Sequence, residues 1–109
     1  MEKNKKFTIY LGLNNKETKQ QEFTTSEAVD ICFKIAKRFF DGITVATANG
    51  FYKHIDEKII FENSLIIDIF EDNLPKIRKF IDFLAVVFCQ ESIIVEEKTT
   101  QSEFIYFEK

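Results

Sequence analysis

Residues 58–70 read KIIFENSLIIDIF, and the pattern of this stretch predicts the fold class. Its residues fall into two alternating sets, because successive side chains of a β-strand point to opposite faces of a sheet. One set is apolar and predicts the face that packs against helices: Ile59, Phe61, Leu65, Ile67 and Ile69. The other set is mixed and predicts an open face: Ile60, Glu62, Ser64, Ile66, Asp68 and Phe70. The segment is therefore predicted to be a strand of a sheet that is covered on one side only.

The segment before this strand predicts its hairpin partner. Residues 43–55 read ITVATANGFYKHI and are rich in β-branched and aromatic residues, and Asp56 and Glu57 join the two runs. Asn49-Gly50 interrupts the strand pattern, and we predict a β-bulge there, so that the side chains beyond Gly50 change faces. The alternative is an irregular α+β sandwich in which Asn49-Gly50 forms an additional hairpin.

Two helices flank this hairpin in the sequence. A capping box of Thr24 and Glu27 predicts the start of the first helix, and Gly42 predicts its end as a left-handed cap. Pro75 lies in the first turn of the second helix, where its missing N–H is tolerated. The last turns of that helix, FLAVVFC at residues 83–89, are apolar on every side. This pattern indicates a partner chain, and we expect a homo-oligomer, a dimer or higher.

One strand at each end of the chain completes the predicted sheet. KFTIYLGL at residues 6–13 alternates as the first strand, and ESIIVEE at residues 91–97 is the last. SEFIYF at residues 102–107 predicts a short C-terminal strand extension. The order β-α-β-β-α-β predicts a single α+β domain over residues 1–109. This is a ferredoxin-like sandwich, with two helices on one face of an antiparallel sheet.

Composition argues against several classes of function. The chain has 15 basic and 18 acidic residues, a net charge of −3 and no basic stripe, which argues against a nucleic-acid partner. Its apolar runs are too short for a signal peptide or a membrane span, so we expect no membrane partner and a cytoplasmic location in a bacterial host cell. One histidine and two separate cysteines, Cys32 and Cys89, cannot form a closed metal site. Phosphate-loop and dinucleotide motifs are missing too, and we predict no metal and no cofactor.

The open face of the sheet is the candidate functional surface. Tyrosine, isoleucine, serine and carboxylate side chains alternate onto it, a mixture typical of an interface or a ligand site. We predict these ligand-binding residues: Tyr10, Asn49, Phe51, Tyr52, Lys53, Glu62, Ser64 and Arg78. The aromatic rings would stack on a nucleotide base, and the amide and cationic groups would contact polar or phosphate groups.

Tyr10, His54 and Glu62 form the best acid–base set in the sequence. Pairing the hairpin about its turn sets Tyr52 opposite Phe61, which brings His54 within a few residues of Glu62 and would allow a tuned pair. The competing interpretation is that a single histidine near a hairpin turn is a plain surface residue.

A longer stretch carries a family resemblance. RFFDGITVATANGFYK, at residues 38–53, resembles the core of a family of small uncharacterised bacterial and phage proteins, a domain of unknown function. That core runs approximately Arg-Phe-Pro-Asp-Gly, a hydrophobic residue, Thr, then Ala-x-Gly-x-aromatic. IYLGLN, FENSLIIDI and FCQESIIV are similar to further family segments, although Phe40 and Phe61 stand where the family tends to have Pro and Arg. The resemblance implies a ferredoxin-like fold and carriage on mobile elements, and it names no activity.

The leading functional hypothesis is a non-catalytic, homo-oligomeric binding protein, because the sequence carries no catalytic motif. A concrete version is a phage or prophage counter-defence protein that sequesters a small nucleotide-like signal or inhibits a host protein. The alternative is a small dimeric isomerase or lyase of ferredoxin-like fold, with Tyr10, His54 or Glu62 as its acid or base. A third hypothesis is a purely structural or protein-inhibiting module that uses its acidic surface.

Overall fold

The computed structural model describes residues 1–108. Its elements in chain order are β1 (Glu2–Gly12), α1 (Thr25–Ala36), β2 (Thr44–Lys53), β3 (Ile59–Phe70), α2 (Leu74–Val87) and β4 (Ile94–Ser102). The strands form an antiparallel sheet in the order β2-β3-β1-β4. The predicted ferredoxin-like α+β fold is therefore confirmed.

The two faces of the sheet divide as the alternation in β3 predicts. Leu65, Ile67 and Ile69 are buried, and each pairs with a buried residue of β1. Both helices contribute buried residues to the core: Ala28, Cys32 and Ala36 of α1, and Ile77, Phe80 and Leu84 of α2. Each large apolar side chain in this core contributes about 1.5–3 kcal/mol through removal from water. The residues between them in β3 lie on the open face.

The predicted bulge at Gly50 is wrong. Every residue of β2 has a partner in β3, and Gly50 lies directly opposite Glu62. The side chains beyond Gly50 therefore stay in register, and Phe51 rather than Tyr52 pairs with Phe61. A shift of one residue moves a side chain to the other face of a sheet. Tyr52 consequently belongs to the open face and Phe51 to the opposite face.

Gly42 does not cap α1 as predicted. The helix ends at Ala36, and the N–H groups of Phe39 and Phe40 both donate to the Ala36 carbonyl at 2.9 Å. These turns place the two rings against Phe80 of α2, at centroid distances of 6.0 and 5.2 Å. Gly42 lies beyond the turns and does not have a left-handed backbone. Burial of the aromatic cluster, rather than a glycine, accounts for the path of the chain after α1.

The two predicted helix starts are confirmed. The Thr24 hydroxyl accepts the N–H of Glu27 at 3.1 Å, and the Glu27 carboxylate accepts the N–H of Thr24 at 3.0 Å. Pro75 lies in the first turn of α2, and the Asn73 side chain accepts the N–H of Lys76 at 3.1 Å. Neither of the described helices has the length and apolar character needed to cross a membrane.

The last strand is longer than the sequence predicts. β4 runs beside β1 as far as Ser102, where the side-chain amide of Asn4 donates to the carbonyl and hydroxyl oxygens at 3.0 and 3.1 Å. Residues 103–108 form no strand. The sheet does extend beyond the predicted strand at residues 91–97, but it does so over residues 98–102 of β4, and residues 103–107 of the predicted extension form no strand.

Cys32 and Cys89 are free thiols. Burial raises the pKa of Cys32 to about 12, so Cys32 is a core residue rather than a nucleophile.

Three apolar residues remain exposed at the end of α2: Phe83, Val86 and Val87. The homo-oligomer suggested by this apolar end stays a prediction.

Loss of the capping box should lower the stability of the protein. We expect Thr24→Ala to reduce the free energy of unfolding by about 1 kcal/mol, because the N–H of Glu27 loses its acceptor at the start of α1. Urea denaturation measures the change. Ser26→Ala, at an exposed position in the same helical turn, is the control and should change the stability by less than about 0.5 kcal/mol. Equal losses in both variants would contradict the capping role.

Candidate functional site

A groove of about 540 Å³ lies at one end of the open sheet face. Its floor is formed by strand residues: Tyr10 and Gly12 of β1, Tyr52 of β2, Glu62 and Ser64 of β3, and Ile94 of β4. Its rim is formed by loop residues: Asn14, Asn15, Lys16 and Lys19 after β1, His54 after β2, and Gln90, Glu91 and Ser92 after α2. We term this the open-face groove, and its volume lies within the range of small-molecule sites.

The structure brings some of the predicted site residues together and separates the others. Tyr10, Tyr52, His54, Glu62 and Ser64 all line the open-face groove. Three other predicted residues occupy alternate positions of β2, on the opposite face of the sheet: Asn49, Phe51 and Lys53. Arg78 is exposed on α2, in the helical layer that covers that opposite face.

Tyr10 is fixed by a carboxylate on the neighbouring strand. Its hydroxyl donates to Oε1 of Glu96 at 2.6 Å. This hydrogen bond is the main reason why the pKa of Tyr10 is raised above its ordinary value, because ionisation would remove the donor and set two negative charges side by side. The contact holds the aromatic ring of Tyr10 in place on the floor of the groove.

Glu62 is held on the floor by the first residues of the loop that follows β1. Oε2 of Glu62 accepts the backbone N–H of Asn14 at 3.0 Å. Asn14 is itself buried, and its side-chain amide donates to the Phe61 carbonyl at 3.1 Å. Glu62 is half-buried, so its carboxylate has a fixed position and is still accessible from the groove.

A helix end brings Gln90 to the same loop. Cys89 has a left-handed φ of 50°, the N–H of Gln90 donates to the Ala85 carbonyl, and that of Cys89 donates to the Val86 carbonyl. This pattern is a Schellman motif, which ends α2 sharply. The side-chain amide of Gln90 then donates to the Asn14 carbonyl at 2.6 Å. Asn14 is therefore held from both β3 and the end of α2.

His54 is oriented by the hairpin turn. Its side-chain Nδ1 lies 3.2 Å from Oδ1 of Asp56. Its backbone N–H donates to the Lys58 carbonyl at 2.8 Å. The Lys58 N–H, followed by the His54 side chain, holds the pKa of Asp56 below its ordinary value. The carboxylate partner of His54 is thus Asp56 in the turn rather than Glu62 on the floor.

The groove combines aromatic surface with charges of both signs. Glu62 lies on the floor and Glu91 on the rim, whereas Lys16 and Lys19 lie on the loop after β1. A half-buried carboxylate near tyrosine rings suits a ligand with both an aromatic ring and a cationic group. Within residues 1–108, no three potential metal ligands cluster together.

A second, smaller cavity lies at the other end of β1. It measures about 340 Å³ and lies between the start of β1, the ends of β3 and β4 and the loop before α2, and its lining includes Lys5, Glu71, Asp72, Asn73 and Phe104. It contains none of the predicted ligand-binding residues. The open-face groove contains four of those residues, Tyr10, Tyr52, Glu62 and Ser64, and is therefore the stronger candidate site.

Sequence reasoning did not single out Asn14, Gln90 or Glu96 as functional residues. Asn14 and Gln90 lie in loops, where no periodic pattern predicts the direction of a side chain. The alternation of β4 does place Glu96 on the open face, but only the register of β4 against β1 brings it to Tyr10.

The Tyr10–Glu96 contact predicts a specific pH dependence. We expect Glu96→Gln to lower the pKa of Tyr10 towards its ordinary value, because the negative acceptor is removed. A raised pKa in the folded state means that the contact stabilises the fold below the unfolded tyrosine pKa of about 10, and that this contribution is lost as the pH rises through the raised value.

Ultraviolet titration of tyrosinate, with Tyr10→Phe to identify the signal, measures this shift. Glu97→Gln is the matched control, since Glu97 is the next residue of β4 and pairs with Lys5 at 3.5 Å instead. The same titration curve in Glu96→Gln as in the wild type would contradict the assignment.

Comparison with known proteins yields matches only among solved structures. No family model and no curated protein matches the chain. A phage SAM lyase in its apo state has 22% sequence identity and a TM-score of 0.71, and the match covers 97% of this chain and 98% of that one. A phage SAM lyase in complex with S-methyl-5'-thioadenosine has 20% identity and a TM-score of 0.66, with 94% and 93% covered.

A third similar structure is a DUF3240 family protein from Shewanella baltica OS155. It has 10% sequence identity and a TM-score of 0.54, and the match covers 98% of this chain and 100% of that one. At these identities the three structures establish a shared fold over almost the whole chain. The family resemblance drawn from the sequence stays a prediction.

Proposed function

We propose that the open-face groove binds a sulfur-containing adenine nucleoside such as S-adenosylmethionine or S-methyl-5'-thioadenosine. The observation that carries the proposal is that Tyr10, Tyr52 and Glu62 line one groove. The fold gives independent support, because a phage SAM lyase of the same fold was solved with S-methyl-5'-thioadenosine bound.

Each part of such a ligand has a counterpart in the groove. Tyr10 and Tyr52 offer rings on which adenine can stack, a contact worth about 1–3 kcal/mol per base. Ser64 offers a hydroxyl group to the ribose hydroxyls. Glu62 offers a carboxylate to the sulfonium or ammonium group, where a charge-assisted contact is stronger than a neutral one.

On this proposal the chain is a phage or prophage protein that acts in the bacterial cytoplasm by withdrawing the nucleoside from the host. Simple sequestration needs no catalytic group, in line with the absence of a catalytic motif from the sequence. The protein would then reduce the free ligand only in proportion to its own concentration.

The second candidate function is a lyase that cleaves the nucleoside. Tyr10, His54 and Glu62 favour it, because all three acid–base groups line the same groove. Here the bond from the sulfonium sulfur to the alkyl chain breaks, the electron pair stays on sulfur, and the nucleoside leaves as a neutral thioether. The alkyl fragment loses a proton to Glu62 or His54 and gains a double bond, so atoms and charge balance.

Titration calorimetry and chromatography together test both candidates. Calorimetry with S-adenosylmethionine, with S-methyl-5'-thioadenosine and with adenosine triphosphate as a control measures binding. Chromatography of the S-adenosylmethionine sample detects any thioether formed. Binding without product supports sequestration, and catalytic formation of S-methyl-5'-thioadenosine supports the lyase. Failure to bind either sulfur nucleoside would contradict the proposal.

Self-association is part of the proposal. The exposed side chains at the end of α2, Phe83, Val86 and Val87, form an apolar surface next to the covered face of the sheet. We expect a dimer or larger homo-oligomer in solution, and sedimentation equilibrium measures its mass. A monomer at micromolar concentration would contradict this part of the proposal and leave the nucleoside site standing.

A further inference from the structure

Gly12 ends β1 on the floor of the open-face groove, and its backbone does not need a glycine. Its φ lies outside the left-handed region that favours this residue. Glycine inside a strand weakens the sheet and often marks a close approach of another group. The structure identifies that group as the carboxylate of Glu62.

The space above Gly12 is already occupied. A Cβ atom at this position would lie 2.5 Å from Oε1 of Glu62, and 2.6 Å from its Cδ and Oε2. These separations are well below van der Waals contact. The Glu62 carboxylate therefore rests directly on the bare Cα of Gly12, and any other residue at position 12 would displace it.

The Asn14 backbone also holds the carboxylate. Its backbone N–H donates to Oε2 of Glu62. Its side-chain amide donates to the Phe61 carbonyl, and its own carbonyl accepts the side-chain amide of Gln90. Gly12 and Asn14 belong to the same short segment. Gly12 leaves space for the Glu62 carboxylate, and Asn14 supplies the N–H that donates to it. Together they determine where the negative charge on the floor lies.

We propose that Gly12 is a positioning residue that sets the Glu62 carboxylate in its ligand-binding orientation. The inference rests on the proposed function, in which Glu62 contacts the cationic group of the nucleoside. The displaced atoms lie at the flexible end of a half-buried side chain that can rotate away. A methyl group at position 12 therefore disturbs the site while leaving the fold intact.

Gly12→Ala tests the proposal, and Gly50→Ala is its matched control. Gly50 is also a strand glycine on the open face and lies directly opposite Glu62, but the nearest atom to its Cβ would be the Glu62 carbonyl oxygen at 4.0 Å. We expect Gly12→Ala to weaken binding of S-adenosylmethionine by about 10- to 100-fold, the equivalent of one charge-assisted hydrogen bond. Gly50→Ala should bind like the wild type, and both variants should keep the wild-type unfolding midpoint within a few degrees.

A double-mutant cycle separates positioning from general damage to the groove. In a Glu62→Ala background there is no carboxylate to displace, so Gly12→Ala should cause no further loss of affinity. Additive losses in the cycle, or wild-type affinity in Gly12→Ala, would overturn the proposal.

The Asn14 amide provides a readout that does not need a ligand. In the wild-type background Glu62→Gln should move its ¹H–¹⁵N signal, because the charged acceptor is lost, and in the Gly12→Ala background the same substitution should leave the signal unchanged. An Asn14 signal that responds equally in both proteins would overturn the positioning role. If the wild-type protein binds no sulfur nucleoside, the proposed function fails, and the Asn14 signal still decides whether Gly12 positions the carboxylate.

Discussion

Glu62→Gln is expected to weaken the binding of S-adenosylmethionine by about 10- to 100-fold and to change the affinity for neutral S-methyl-5'-thioadenosine by less than about threefold. Glutamine keeps the shape of the side chain and an oxygen that can accept the N–H of Asn14. Only the negative charge is lost, and only the sulfonium ligand carries the positive sulfur that the charge would contact. Calorimetric titration of both ligands into both proteins measures the difference.

Glu97→Gln is the matched control for this experiment. Glu97 lies on β4 but faces away from the open-face groove, towards Lys5. The variant removes the same charge from the protein and should leave both affinities unchanged, because exposed charges outside the groove are largely screened by salt. Equal weakening of both ligands by Glu62→Gln would contradict the charge role of Glu62, as would no weakening at all.

Phe80→Ala is expected to lower the free energy of unfolding by about 3–5 kcal/mol. Phe80 is fully buried, and its ring meets that of Phe40 edge-on, with 5.2 Å between centroids and 89° between planes. The substitution removes this contact, together with the one to Phe39, and leaves a cavity between α2 and the end of α1. Such a loss is a large part of the roughly 5–15 kcal/mol that stabilises a typical domain.

Phe83→Ala is the control for the aromatic cluster. Phe83 lies three residues further along α2 and also contacts Phe39, at 5.7 Å, but it is 47% exposed. We expect a loss of less than about 1.5 kcal/mol, since little cavity forms at a half-exposed position. Urea denaturation measures the two values at a protein concentration at which both variants are monomeric, because Phe83 also belongs to the surface proposed for self-association. Similar losses would show that the Phe80 cluster does not fix the end of α1 as inferred.

The fold could be predicted because its main signals are local. The alternation in residues 58–70 defines both faces of the sheet, and Thr24 and Pro75 mark helix starts through contacts within a single turn. The end of α1 could not be predicted, because it depends on aromatic residues that pack against Phe80, 40 or so positions further along the chain. A glycine near the expected end, Gly42, was the nearest local signal and was misleading.

The candidate site could be predicted only in part. Strand alternation correctly places Tyr10, Glu62 and Ser64 on the open face. The assignment of Phe51 to the site depended on a bulge at Gly50, and a glycine inside a strand can equally mark a close approach. Because side chains alternate along a strand, this one error put Phe51 on the wrong face.

The loop contacts lay beyond any sequence pattern. Asn14 and Gln90 are 76 positions apart, and they meet because β1 and α2 end at the same side of the groove. Such contacts depend on the register of the whole sheet and on how α2 ends. The order of residues in either loop does not encode them locally.

A crystal structure of the complex would show whether a sulfur-containing adenine nucleoside binds in the open-face groove. Crystals grown with S-adenosylmethionine or S-methyl-5'-thioadenosine should show adenine against Tyr10 or Tyr52, and the sulfur side of the ligand within contact distance of Glu62. A nucleoside bound against Phe51 or Arg78 on the other side of the sheet would contradict the proposal. A groove that stays empty at ligand concentrations that saturate the protein in solution would contradict it as well.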